Sequence, residues 1–248
     1  MYSLVYVFGF FLAVFFRFKS FTYHEHSFSY ALYISTYAAV GAISGGRLGY
    51  VLFYEPLYYL EHPEEIICLY CGGMSFFGGA LGLILLVVLC DRKGFARNLE
   101  HFCILACLVL PLGRIANFFN GELWGTPTDL PWGVVFAGAD SQIRHPVQLY
   151  EALLEGPVLL GAVICSRRFL THLLGKMVPV GTVTMLFGFY YGLFRFAAEF
   201  VREPDRVVGY VFMNFSMGHI LAFLLSTTSL LLLAARLARF SRKPTLSE

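Results

Sequence analysis

Seven apolar runs divide the chain, at Tyr2 to Phe16, Tyr30 to Tyr54, Met74 to Cys90, Phe102 to Phe119, Val147 to Cys165, Val178 to Phe200 and Val211 to Ala235. In hydrocarbon, backbone N–H and C=O groups must bond within one segment or around a closed barrel. These runs are continuous rather than alternating, so they are helices. The sequence predicts an all-α integral membrane protein with seven transmembrane helices. Only 14% of its residues are charged, against about 25% in a soluble domain. The first run is short for a hydrocarbon core of about 30 Å unless Arg17 and Lys19 reach back to the headgroups. Those cations follow the run instead of preceding it, as expected of a retained span and not of a secretory signal. The third run opens with glycines, which predicts a packed re-entry in its first turns.

Orientation follows from the connectors, because Lys and Arg gather on the cytoplasmic side. Arg17 and Lys19 follow the first run, Arg92, Lys93 and Arg97 the third, Arg167, Arg168 and Lys176 the fifth, and Arg236, Arg239, Arg242 and Lys243 the seventh. The alternate connectors differ: Glu55 to Gly73 carries Glu55, Glu61, Glu64 and Glu65 without a cation, and Asn120 to Pro146 carries only Arg144. Arg202 and Arg206 are offset by Glu203 and Asp205. The N-terminus is therefore expected outside and the C-terminus in the cytoplasm, with residues 1–248 as a single transmembrane domain. Residues 120–146, rich in Pro and Gly, read as a small outer cap. A net charge of +2 gives no reason to expect nucleic acid.

This topology brings the polar motifs to one leaflet. Gly113 to Gly125 carries Arg114, Asn117, Asn120 and Glu122 directly off an apolar run, where an unpaired charge costs a few kcal/mol or more. Arg195 and Glu199 are spaced i, i+4 and share a helix face. An isolated pair of this kind reads first as a structural salt bridge. A second arginine of similar depth, Arg114, exceeds what pairing needs and suits a phosphate, which guanidinium binds through forked donors. In a membrane the commonest phosphate is a lipid headgroup.

Gly41, Gly45, Gly46 and Gly49 read as helix-packing residues, with Arg47 among them too costly to face lipid. Gly72 to Gly79 fits close packing or an irregular backbone offering amides to a ligand. Arg144 to Glu151 is partly the grammar of a helix start, with Pro146 and Glu151; His145 reads as a surface histidine before it reads as a base. Cys68 and Cys71 form a C-x-x-C without the further ligands a metal site needs, so no metal or cofactor is expected.

Taken together, Gly45 to Tyr54 (GGRLGYVLFY), Gly72 to Gly79, the Gly113 to Gly125 stretch, Arg144 to Glu151 (RHPVQLYE), Tyr191 to Asp205 (YGLFRFAAEFVREPD) and Ser216 to Leu221 (SMGHIL) resemble the prolipoprotein diacylglyceryl transferase family over nearly the whole chain. The resemblance implies transfer of a diacylglyceryl group from phosphatidylglycerol to the lipobox cysteine of a prolipoprotein signal peptide, in a bacterial inner membrane. It implies essential arginines at Arg114 and Arg195. It puts Asn117, Glu122, Gly125, Tyr191, Glu199 and Arg202 on family motif positions, and Tyr2 at a tyrosine near the first span. It also implies an outer N-terminal segment upstream of this start. Where the family carries the histidine of Ser-Phe-His-Gly-Gly, this chain has Phe77, whose ring takes no proton. Either Tyr191, Glu199 or another group serves, or the chain binds lipid or prolipoprotein without turnover.

Overall fold

The computed structural model describes residues 2–19, 28–69, 72–204 and 209–241. Cys71, Asp205, Arg206, Arg242 and Lys243 lie outside the described residues, as does the side chain of Tyr2.

The described residues are mostly helical: α1 (Tyr2–Lys19), α2 (Phe28–Phe53), α3 (Pro56–Glu61), α4 (Phe76–Cys90), α5 (Phe95–Asn120), α6 (Val147–Leu153), α7 (Leu159–Leu174), α8 (Thr182–Glu199) and α9 (Met217–Ser241). Among the described residues three helical stretches are long and apolar enough to cross a membrane: Phe95–Asn120, Val147–Leu174 and Met217–Ser241. Phe76–Cys90 is a shorter apolar helix. Several boundaries differ from those read off hydropathy, among them the fifth, whose helix runs on past Cys165 to Leu174 with Arg167 and Arg168 inside it, and the sixth, whose helix starts at Thr182. Helix α5 begins at Phe95, because Phe95 to His101 continues the helix with polar residues that hydropathy alone gives to a connector. The last run begins as a hairpin, β1 (Tyr210–Phe212) and β2 (Phe215–Ser216), before α9 starts at Met217.

The chain forms two compact units, one made chiefly of Tyr6–His101 and the other of Phe102–Asp205 with Gly209–Glu248. In the first, α2 and α4 meet backbone on backbone. A Cβ on Gly45 would fall 2.8 Å from the Gly82 Cα and one on Gly49 2.7 Å from the Gly78 Cα, closer than any side chain tolerates. The glycines of α2 are thus packing residues, and Gly78 and Gly82 are their partners. Helix α4 is regular from Phe76, with the Ser75 hydroxyl accepting from the Gly78 N–H at 3.3 Å as its N-cap. The expected re-entry is instead an extended approach turned by Gly72 and Gly73, both at positive φ. Phe77 sits in the first turn, edge to face with Phe76 at 5.6 Å.

Arg47, 3% exposed, gives its donors to the backbone of the following connector, with Nε on the Ile66 carbonyl at 2.9 Å, and lies over the Tyr59 ring. Its role is to hold that connector, which removes the cost of facing lipid. At the other end of this unit Arg17 donates to Asn98 at 2.6 Å, and Asn98 to Asp91 and to the Tyr30 hydroxyl at 3.0 Å each.

In the second unit, α8 and α9 approach closely at Gly192, where a Cβ would fall 2.6 Å from the Ala222 carbonyl oxygen. Leu159, Val163, Val183, Leu186 and Leu233 form the buried core beside them. Between α6 and α7 the helix widens into a π turn, Leu154–Val158, where Gly156 leaves helical dihedrals (φ −103°, ψ −107°) ahead of Pro157. Gly156 leaves no room for a Cβ against the Pro111 ring, so this turn is fixed against α5 one helical turn before Arg114. That arrangement positions the site.

Candidate active site

Three helices of the second unit carry ionisable residues at helical spacing into an apolar interior. Glu151 and Glu155 are four apart across the end of α6 and the π turn, and Tyr191, Arg195 and Glu199 recur every four residues along α8. Each set therefore lines one face. Helix α5 supplies Arg114. The chain beyond α8 supplies Arg202.

These side chains meet. Arg114 forks onto Glu155, Nε to Oε2 at 2.8 Å and Nη2 to Oε1 at 2.9 Å, while its Nη1 stands 3.0 Å from Glu151 Oε2. Arg195 donates to both Glu151 and Glu199. Arg202 Nη1 donates to Glu151 Oε1 at 2.9 Å. Glu151 is 0% and Glu155 1% exposed. Three arginines face three carboxylates, so the cluster carries no net charge as folded. This corrects the expectation that Arg114 and Arg195 exceed what pairing requires: a phosphate arriving here competes with carboxylates already in place. Removing one member of a buried ion pair costs roughly 3–5 kcal/mol because its partner stays buried and charged.

Tyr191, fully buried and stacked on Phe187 at 5.8 Å, is within electrostatic reach of Glu155, Arg114 and Arg195. Glu199 has a second tier of support. The Ser216 hydroxyl donates to Glu199 Oε2 at 3.1 Å, and the Ser216 N–H donates to His219 Nδ1 at 3.2 Å. Gly218 leaves only the width of a hydrogen against that carboxylate, since a Cβ would lie 2.6 Å from the Glu199 Cδ.

Asn117 lies one turn beyond Arg114 and its carbonyl accepts from the Glu122 N–H at 3.1 Å. The Glu122 carboxylate accepts from Asn120 at 2.8 Å, and its carbonyl from Gln148 Nε2 at 2.7 Å, which ties the end of α5 to the helix bearing Glu151. Gly125 forms an antiparallel bridge with Arg202; a Cβ there would stand 2.6 Å from both the Val201 oxygen and the His145 Cβ. Gly125 thus acts on the cluster through backbone, by fixing where Arg202 leaves α8.

The cap is clamped to the same place. Arg144 donates to the Gly125 carbonyl and to Glu203 at 3.0 Å each, and grips Asp140 through two nitrogens. The Arg144 hydrogen bonds hold the Asp140 carboxyl down at about 2, and Asp140 with Glu203 raises Arg144 in return. His145 stands at the edge, its Nδ1 3.4 Å from the Tyr150 hydroxyl.

The structure thus gathers Arg114, Tyr191, Arg195, Glu199 and Arg202 into one cluster and puts Asn117, Glu122 and Gly125 in the segments that frame it. Sequence reasoning missed Glu155, placed Ser216 and His219 in a motif without giving them a role, and gave Glu151 to helix-start grammar. The available signal was two glutamates four apart entering an apolar run, the same cue that singled out Arg195 and Glu199.

The model of the prolipoprotein diacylglyceryl transferase family matches residues 1–235. The phosphatidylglycerol–prolipoprotein diacylglyceryl transferase of Geobacter sulfurreducens is 47% identical over 205 residues, covering 80% of this chain and 76% of that protein. The enzymes so named from Bordetella avium and Methylocella silvestris are each 45% identical, over 212 and 201 residues, covering 84% and 80% of this chain and 78% and 72% of their own lengths. With the family model matching most of the chain and relatives of this similarity over most of their length, this apolar, mostly helical chain belongs to the prolipoprotein diacylglyceryl transferases, a bacterial family of membrane enzymes.

Proposed function

We propose that this chain transfers the diacylglyceryl group of phosphatidylglycerol to the lipobox cysteine thiol of prolipoproteins. The thiol sulfur attacks the glycerol carbon bearing the phosphate, a C–S bond forms, the C–O bond breaks, and glycerol phosphate departs with the electron pair. The observation that carries this reading is the convergence of Arg114 and Arg195, from different helices, in a buried cluster walled by apolar side chains. Preorganised guanidinium donors in such a site stabilise a departing phosphate far better than they do in water.

In this reading Arg114 and Arg195 bind the lipid phosphate, and Glu199, steadied by Ser216, orients Arg195. Arg202 shares Glu151 with both. Asn117, Glu122 and Gly125 shape the rim, Tyr2 meets substrate near the first span, and Tyr191 assists proton transfer. The chain crosses a bacterial inner membrane seven times, with its N-terminus outside, its C-terminus cytoplasmic and residues 120–146 as the cap of a single transmembrane domain. The charge bias of the connectors supports this orientation.

A second reading rests on Phe77, which takes no proton: a relative that binds phosphatidylglycerol or prolipoprotein without turnover. Complementation of a transferase-depleted strain, with labelled-lipid transfer to a lipobox peptide, separates the two. Product formation supports transfer; a folded, lipid-binding protein that yields no product removes the enzyme reading.

A further inference from the structure

The C-terminal half of α7 carries a basic groove that the arginine–glutamate cluster does not use. Ile164, Arg167, Arg168, Thr171 and His172 recur at the i, i+3, i+4, i+7 and i+8 spacing that lines one helix face. With Met177 from the connector beyond, they wall a groove of about 500 Å³. That connector is turned by Gly175 at positive φ and tied to α9 by two cations. Lys176 donates to the Phe240 carbonyl at 3.3 Å and lies over the Phe240 ring, and Arg236 donates to the Val180 carbonyl. The Met177 wall is thus held on both sides.

The charge in this groove is unmatched. No Asp or Glu occurs from Leu159 to Leu186 or from Met217 to Ser241, the segments that form and brace it. Arg167 and Arg168 are exposed, and among the described residues neither pairs with a carboxylate. Thr171 gives its hydroxyl hydrogen to the Arg167 carbonyl at 2.9 Å, so the donors left to a ligand are cationic. The dipole of α7 accounts for His172 in the last turn, but its effect fades within that turn and does not reach Arg167 and Arg168. A bias of cations towards one membrane face explains their charge but not the apolar wall beside them.

Membrane depth narrows the occupant. Val147–Leu174 is long and apolar enough to cross a membrane. At the α-helical rise Arg168 lies roughly 25 Å along it from Glu151, against a hydrocarbon core of about 30 Å. The groove therefore meets the leaflet opposite the arginine–glutamate cluster, at headgroup level. Around it Phe169 and Leu173 are each 66% and Met177 65% exposed, as fits contact with acyl chains. We propose that this groove holds an anionic phospholipid of that leaflet, its phosphate on Arg167 and Arg168 and an acyl chain against Ile164 and Met177. Guanidinium groups meet phosphate through forked donors, and basic pockets between membrane helices take lipid headgroups in this way. A free inorganic anion would leave the apolar wall unused. The site rests on Val147–Leu174 crossing the bilayer and not on the transfer reaction, since a lipid held here lies too far from the cluster to be its substrate.

The test uses the full chain in phosphatidylcholine nanodiscs doped with a sub-saturating phosphatidylglycerol that carries a diazirine near the head of one acyl chain. After photolysis, labelled peptides are mapped by mass spectrometry. Labelling of residues 164–177 is expected to exceed that by the matching phosphatidylcholine probe. It falls about 30-fold in the Arg167→Gln, Arg168→Gln double variant, the loss expected of two cations near a membrane surface. The Arg167→Lys, Arg168→Lys double variant keeps the charge and most of the labelling, and serves as the comparison if the glutamine variant is unstable. Excess inorganic phosphate leaves the labelling in place. Equal labelling by the two probes, unchanged labelling in the glutamine variant, or loss of labelling in the lysine variant overturns the proposal. Displacement by inorganic phosphate also overturns it, by making the groove a free-anion site. Each of these leaves the transferase reading standing, whereas a parent that is labelled here yet transfers no lipid to a lipobox peptide removes that reading and keeps the site.

Discussion

Arg195 and Glu151 join α8 to α6 through a direct ion pair in which the carboxylate is completely buried. The same Glu151 also meets Arg114 and Arg202. One carboxylate therefore anchors arginines from three segments of the chain, and the site depends on it more than on any single arginine.

Glu151→Leu is expected to lower stability by roughly 3–5 kcal/mol, since it leaves three guanidinium groups short of a counter-ion inside an apolar interior. Glu151→Gln keeps the volume and one acceptor and loses less. Thermal unfolding of the detergent-solubilised proteins checks this; a leucine variant as stable as the parent would show that the pairing is not structural.

Gly125→Ala is expected to disturb the Gly125–Arg202 bridge, because the new methyl would press on the Val201 oxygen and His145. Overpacking of this kind costs about 1–3 kcal/mol. Gly125→Ala is expected to lose transfer and to unfold at a lower temperature, whereas Gly138→Ala, a cap position whose nearest contact is a looser 3.4 Å, keeps a near-parental unfolding temperature; equal unfolding temperatures in the two variants would contradict this.

The cap clamp carries a pH signature. Arg144 depresses the folded-state Asp140 to about 2, below the ordinary value of about 3.9. Its contribution is thus fully present above pH of about 4 and is lost as pH falls towards about 2. Asp140→Asn lacks it throughout. The gap in unfolding temperature between parent and variant should be constant near neutrality and close across that acid window; a gap that widens on acidification would reverse the sign.

Much of the helical framework was legible from apolar length alone, as was the Arg195–Glu199 pair, because both depend on local periodicity. Glu155 was not, since its burial depends on a π turn seated against Pro111 in a distant helix. Glu151 was hidden by a sufficient local explanation: acidic residues near a helix start need no tertiary partner. The apparent surplus of Arg114 and Arg195 arose for the same reason, with two of their three carboxylates carried elsewhere in the sequence. The strands at 210–216 were absorbed into an apolar run because two or three residues of hairpin leave no pattern that hydropathy resolves. Gly125 was recognised by motif, whereas its physical reason, a backbone crossing without room for a methyl, is visible only in three dimensions.

Labelled diacylglyceryl transfer from phosphatidylglycerol to a lipobox peptide, with the purified parent run beside Arg195→Ala and Phe77→His, bears most directly on the central claim. The predicted result is a thioether product from the parent, no requirement for the histidine, and a rate lowered by about 100-fold or more when Arg195 is removed. A folded parent that binds phosphatidylglycerol yet forms product only after Phe77→His, or never, would contradict it.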